Sequence, residues 1–313
     1  MRFDVTAYPY QAKGDGIADD GPAIQAAIDA CARAGTAQYG AAQGTVWFPT
    51  GTYRVTGTLY LPQLWSMFSV TLAGEGVDGA IVVKDTPGDL FVADRRPGHA
   101  PQAIDLVVRD LALACLPQSS CLTWDMRDVV DWRSGTGRIR LAMSRVRLRC
   151  GTGGSSAPAM RLYGGGGVTL RDVWVYGVSG SHGVAFEFER CSRTSLYDCR
   201  IMGVPGGLCR FIGSGGTQTL VGCRAEGAYD VPEFLFEDQN SVVLINCGGE
   251  GEGESPSQFL FRRCTEVELI DCSPSTADKD PPGGGARPDG IRFEACSGVR
   301  VSGGAAPGSY TAQ

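Results

Sequence analysis

Apolar residues alternate over short runs along much of the chain, as in Val184-Ala-Phe186-Glu-Phe188, Phe234-Leu-Phe236, Phe259-Leu-Phe261 and Ile291-Arg-Phe293. This is the two-residue period of a strand with one buried face, not the 3.6-residue period of a helix. The pattern also repeats, as Leu196-Tyr-Asp-Cys199, Leu220-Val-Gly-Cys223, Leu244-Ile-Asn-Cys247 and Leu269-Ile-Asp-Cys272, with the cysteines at a nearly constant interval. Upstream the phrase continues with another apolar residue in the cysteine's place, as Val108-Arg-Asp-Leu111, Met143-Ser-Arg-Val146 and Leu170-Arg-Asp-Val173. A propeller blade would need roughly 40 to 45 residues, so a repeat of about 24 predicts a solenoid. Each repeat reads as three short strands, one ending at the Leu and one starting at the Cys. Asp110, Asp172, Asp198, Asn246 or Asp271 stands at the corner between those two, and these residue types tolerate left-handed backbone. Three strands per coil predict an all-β parallel β-helix.

Equal positions of successive coils stack into ladders. Cys199, Cys223, Cys247 and Cys272 are expected to form one interior ladder, and Cys191, Cys264 and Cys296 another, as small, weakly polar core residues. The chain has 12 cysteines but no Cys-x-x-Cys, and its two histidines, His99 and His182, are far apart, so no metal site is assigned. The start, Met1-Arg2-Phe3-Asp4-Val5, has no apolar core of a secretion signal, and no apolar run approaches the roughly 20 residues of a membrane span. The expectation is therefore a protein with reduced thiols, cytoplasmic or released by a nonclassical or phage route, with no membrane partner. A net charge of −6 argues against a nucleic-acid partner, because phosphate contacts need a basic face.

A solenoid leaves raw strand edges at its ends. Asp19-Asp20-Gly21-Pro22 has the character of a helix start, and Ile24, Ala27, Ile28 and Cys31 form an apolar stripe, which predicts a short helix capping the first coil. The organisation expected is a single domain over 1–304, with a cap region at 1–44, coils at 45–304 and a flexible tail at 305–313. The stretch 278–289 reads as a flexible insertion. No comparable cover is visible at the C-terminal end, which makes a homo-oligomer, such as a trimer, the expectation.

The run Ala12-Lys-Gly-Asp15-Gly-Ile-Ala-Asp19-Asp20-Gly-Pro-Ala-Ile24-Gln25, followed by Gly44-Thr-Val-Trp-Phe-Pro-Thr-Gly51-Thr-Tyr53 and Leu72-Ala-Gly-Glu-Gly76, resembles the start of the pectate-lyase-like superfamily. By motif that resemblance covers residues 1 to about 85, and the rest of the chain by coil periodicity alone. It implies a right-handed β-helix whose functional groove runs along the outward face of the sheet holding Val184 to Phe188. Polysaccharide lyases, glycoside hydrolases, epimerases and phage depolymerases share the opening motif, so it does not fix the chemistry.

On that sheet the outward positions carry Arg161 and Tyr163, Glu187 and Glu189, Arg210, Glu237, Arg262, and Arg292 with Glu294. An earlier strand with Trp124, Asp125 and Arg127 leads into a loop with Asp131, Trp132 and Arg133. Arginines bind carboxylates as forks, aromatics stack on sugar faces, and Asp, Glu, Tyr or His move protons. Asp125, Tyr163, His182 and Glu187 are accordingly the candidate catalytic residues. Trp124, Arg127, Trp132, Arg161, Arg210, Tyr229 and Asp230 are the candidate substrate contacts. His182 sits in Ser181-His182-Gly183, slightly similar to the Gly-His-Gly of polygalacturonases, but the aspartate pair and the Arg-Ile-Lys of that family are missing. The acidic stretches Glu226 to Glu233 and Glu250 to Glu254 are where calcium would bind, yet neither matches an Asp-x-Asp-x-Asp-Gly loop, and no cofactor is assigned.

The leading expectation is a carbohydrate-active lyase that abstracts a proton and eliminates across an acidic, uronate-type glycan, with hydrolysis left open. One alternative is a biosynthetic lyase, cyclase or isomerase that uses the same groove on a small molecule. Another is a noncatalytic phage tail or adhesin module.

Overall fold

The repeating phrases stack in register. Leu196 pairs with Leu220, Leu220 with Leu244 and Leu244 with Leu269, one repeat further along the chain each time. All pairings among the described strands are parallel and fall into three ladders, so the molecule is an all-β, right-handed parallel β-helix, with one helix among the described residues. The computed structural model describes residues 1–36, 43–61, 68–93, 104–116, 118–125, 139–150, 157–177, 184–202, 207–226, 232–251, 258–276, 290–304 and 310–312. The stretch 278–289, expected to be an insertion, lies outside them.

The first ladder runs through Phe91–Ala93, Leu122–Asp125, Met160–Gly165, Val184–Cys191, the first half of Gly207–Val221, the first half of Phe234–Ile245, Phe259–Arg262 and Ile291–Glu294. Its inward positions hold a ring column: Phe188, Phe211, Phe236, Phe261 and Phe293 stack at centroid distances of 4.6, 5.0, 5.2 and 5.1 Å. Because a strand alternates its faces, this column fixes the neighbouring residues outward.

The turn between the second and third strands of a coil is made by one left-handed residue. Asp110, Asp172, Asp198, Asn246 and Asp271 have φ between 49° and 56°, as their residue types predict. A second such corner, between the first and second strands, places Arg190, Asp238, Arg263 and Ala295 at φ of 50° to 56°. Corner side chains stack into ion pairs from coil to coil. Arg145 donates to Asp110 at 2.5 and 3.0 Å, and Arg263 to Asp238 at 2.6 and 2.9 Å.

Cys199, Cys223, Cys247 and Cys272 line the core at 0–2% exposure, and none of the twelve cysteines forms a disulfide. The second expected ladder is interrupted. Cys264 and Cys296 are neighbours, but Gln239 lies on a coil between Cys191 and Cys264. Its amide donates to the carbonyls of Gly213 and Glu237, and Gln218 bridges to it at 3.1 Å and to the Cys191 carbonyl at 3.0 Å. A buried amide is tolerable there because the bend at 213 leaves a carbonyl to satisfy it.

The helix Gly21–Thr36 covers the first coil with Ile24, Ala27, Ile28 and Cys31, all fully buried. It lies so close to the strand Gln43–Phe48 that a Cβ on Gly44 would collide with the Cys31 Sγ. The two aspartates ahead of it are clamps. Asp19 accepts from the amides of Gly21 and Thr56 and from the Thr56 hydroxyl, while Asp20 accepts from the amides of Lys13 and Gly14. At the other end Tyr310–Ala312 pairs with Ile291–Phe293, so the segment read as a flexible tail contributes a strand. Among the described residues no helix is long and apolar enough to cross a membrane.

Candidate active-site groove

Register along the first ladder aligns the outward residues in two rows. Thr123, Arg161, Glu187, Arg210 and Leu235 follow one another in the first, and Asp125, Tyr163, Glu189, Ile212 and Glu237 in the second. Coils in a β-helix are spaced as neighbouring strands are, about 4.8 Å apart, so consecutive side chains in a row touch.

Glu187 is the centre of this arrangement. Tyr163 Oη donates to its Oε1 at 2.9 Å, Arg161 Nε lies 3.3 Å from the same oxygen, and Arg210 Nη1 lies 3.9 Å from Oε2. The Arg161 guanidinium also stands 5.7 Å from the Tyr163 ring centroid. Glu187 is mostly covered, at 15% side-chain exposure, whereas Arg161 and Arg210 remain open at 32% and 44%. A carboxylate held between two arginines and a phenol gives a proton acceptor in contact with a proton donor. It is flanked by two forks able to take a second carboxylate from solution.

Of the sequence-identified residues, Arg161, Tyr163, Glu187 and Arg210 come together. Asp125 projects from the same face, in register with Tyr163 on the following coil. Trp124 does not belong to the groove. It is fully buried, in register with Leu162 and, through it, with Phe188, and continues the inward column. The alternation Leu122-Thr-Trp124-Asp carries that signal, since Trp124 has the phase of Leu122, and an aromatic's ability to stack on a sugar does not override strand phase. Its Nε1 meets no hydrogen-bond acceptor among the described residues. Arg127, Trp132, His182, Tyr229 and Asp230 lie outside the described residues.

Among the described residues the acidic stretches build no cation site. Glu233 is fully buried instead of facing solvent, and no three carboxylates converge there.

A second chemical face has no counterpart in the sequence reading. Arg147, Trp174, Arg200 and Arg224 are register partners on successive coils, each following directly on the residue that opens the third strand. Trp174 is sandwiched, with the Arg147 guanidinium 4.3 Å and the Arg200 guanidinium 5.2 Å from its ring. Arg171 covers Tyr197 in the same manner at 4.0 Å. Arg147 is largely covered and also donates to the Asp172 carbonyl at 3.3 Å, so this stripe knits coils together. The residue after the repeat's cysteine is the signal that could have found it.

Comparison with known proteins gives a consistent picture. A family model described as rhamnogalacturonase A/epimerase, pectate lyase-like, matches residues 5–197. The mannuronan C5-epimerase AlgE1 of Azotobacter vinelandii is 42% identical over 79 residues, which is 25% of this chain and 4% of that protein. Alginate lyase 7 of the same bacterium is 41% identical over 75 residues, 24% of this chain and 6% of the lyase. The match thus spans only a small part of the length of these curated relatives. Among solved structures, the A-module of the Azotobacter vinelandii mannuronan C-5 epimerase AlgE4 superposes with a TM-score of 0.60 at 18% identity, covering 100% of this chain and 97% of that module. DFA-IIIase from Arthrobacter chlorophenolicus A6 superposes with a TM-score of 0.65 at 13% identity, covering 99% and 84%. At these identities the two structures share the fold.

Proposed function

From the premise that the chain belongs to the pectate lyase-like rhamnogalacturonase A/epimerase family, we propose that it is a carbohydrate-active lyase for an acidic, uronate-type glycan. The observation that carries the reading is the contact of Tyr163 with Glu187 between Arg161 and Arg210. Relatives named as mannuronan epimerases and an alginate lyase support an acidic sugar as the substrate.

The hydrogen on the carbon beside a uronate carboxylate is removable only when the charge that develops on that carboxylate is neutralised. Arg161 and Arg210 bind it as forks, replacing part of their pairing with Glu187. Glu187 accepts the phenolic proton, and the Tyr163 oxygen then takes the proton from C5. The C4–O4 bond breaks as the C4–C5 double bond forms, and the proton held on Tyr163 passes to the departing oxygen. Protons balance once Glu187 returns its proton to Tyr163 or to solvent in exchange, and both groups end in their starting state.

The test is the ultraviolet absorbance of the conjugated unsaturated uronate, followed on a panel of uronate polymers with a reducing-end assay alongside. Rising absorbance matched by new reducing ends is the expected result. Reducing ends without absorbance would replace elimination by hydrolysis. No reaction with any polymer would move the substrate to a small molecule in the same groove.

A further inference from the structure

Three thiols converge where two strand ends meet the start of a groove strand. Cys115 and Cys150 close the strands Ile104–Cys115 and Ile139–Cys150 and are register partners. Cys121 returns to them from the turn at 118–120, immediately ahead of the groove strand Leu122–Asp125. Cys115 Sγ lies 3.5 Å from Cys121 Sγ and 3.8 Å from Cys150 Sγ, and all three sulfurs fall within 4.8 Å of one another. They are 6%, 0% and 3% exposed.

This differs from the cysteine ladder of the later coils, in which one thiol per coil follows the axis. Among the described residues only Cys115, Cys121 and Cys150 form a group of three potential metal ligands. The dimensions are those of a coordination sphere. A triangle of sulfurs with edges of about 4 Å has its centre about 2.3 Å from each corner, which is the zinc–thiolate bond length.

The turn that delivers Cys121 is held by contacts besides the thiols, although Cys115 Sγ also donates to the Ser119 carbonyl at 3.0 Å. Asp89 accepts from the Ser120 amide at 2.8 Å and from the Thr123 hydroxyl at 2.6 Å, and Ser119 Oγ accepts from the Gly88 amide at 3.1 Å. The sulfurs are therefore preorganised by the backbone.

We propose that Cys115, Cys121 and Cys150 bind a soft, thiophilic metal ion, of the zinc or copper(I) class, as a buried three-thiolate structural site. On binding, thiols still protonated release their protons to solvent and no electron is transferred. The ion ties the entry of the groove strand to the two preceding strand ends. The site is independent of the glycan reading and can be tested without a substrate.

Reduced protein, kept anaerobic with a non-thiol reductant, is titrated with Cd(II) and the thiolate-to-metal charge-transfer band is followed. The expected result is saturation at one ion per chain, with the melting temperature raised on binding. Cys121→Ser and Cys150→Ser should lose the band, and Cys223→Ser, in the ladder, should keep it. Parallel titrations with Zn(II), read by competition with a chromogenic chelator, and with Cu(I) decide between the two classes of ion. A band absent from the wild type overturns the proposal, as does one that survives Cys121→Ser. So does a Cys115–Cys121 disulfide in the isolated protein that, once reduced, takes up no metal. If Cys121→Ser does not fold, the stoichiometry of wild type against Cys223→Ser decides, because a shared ladder site would lose metal in the latter.

Discussion

At the residue scale, the groove chemistry rests on a few contacts that strand alternation makes readable. Arg161, Tyr163, Glu187 and Arg210 have the opposite phase to Leu162, Phe188 and Phe211, so their outward position follows from the apolar pattern alone. Their mutual contact does not, because it depends on coil register, and the stretch from Arg161 to its partner Glu187 is longer than the stretch from Glu187 to its partner Arg210. Tyr163→Phe removes the proposed proton carrier while keeping the ring near Arg161. Turnover should fall by about 10² to 10⁴ with an unchanged melting temperature, a comparison of kinetics and calorimetry. Arg161→Ala and Arg210→Ala should each raise KM with little loss of stability; unchanged KM in both would place the substrate elsewhere. Asp110 supplies a pH test. The hydrogen bond from Arg145, opposed by burial and aided by Arg109, holds its carboxyl below the ordinary value of 3.8. A depressed folded value stabilises the protein above the unfolded value, and that stability is lost as pH falls through the folded value. Asp110→Asn, which tolerates the same left-handed backbone, should melt below wild type at neutral pH and match it in strong acid.

At the element scale, the coil is held by interior stacks and by its corners. Replacing Phe236, which stacks on Phe211 and Phe261, with Ala should cost about 3 to 5 kcal/mol in denaturant unfolding. Cys223→Arg should prevent folding, since its ladder neighbours Cys199 and Cys247 are thiols that cannot pair a buried positive charge. A soluble variant with a wild-type melt would remove Cys223 from the interior. One corner is visible in the sequence because Asp and Asn recur at it, whereas the other is not, because Arg190, Asp238, Arg263 and Ala295 are a mixture in which Asp238 alone is of a type that favours left-handed backbone. There the left-handed backbone is imposed by the flanking strands and, at Asp238 and Arg263, is accompanied by an ion pair between successive coils. The Cys115, Cys121 and Cys150 group is invisible for a related reason: its intervals, one short and one long, fit neither the repeat nor a metal motif, and only the folded turn brings the three together.

At the scale of the whole molecule, the ends differ. The helix Gly21–Thr36 seals one with fully buried residues, while three of the four residues of Val299–Ser302 near the other are exposed. Between them the outward face of the first ladder sets arginine, tyrosine and glutamate side by side on successive coils, and the proposed chain of acidic sugars would lie along it. The fold is legible because a solenoid writes its period directly into the sequence, but a row of charged groups on a strand face is written the same way whether it binds substrate or water. The most direct measurement is therefore of the proton itself. Uronate polymer is incubated in D2O with wild type and with Tyr163→Phe, and the C5 position and the unsaturated product are followed by NMR. Loss of the C5 hydrogen with formation of unsaturated ends by the wild type, abolished in Tyr163→Phe, is the predicted result. Deuterium at C5 without unsaturated ends would make the reaction an epimerisation, and a C5 hydrogen untouched by the wild type across the polymer panel would contradict the account.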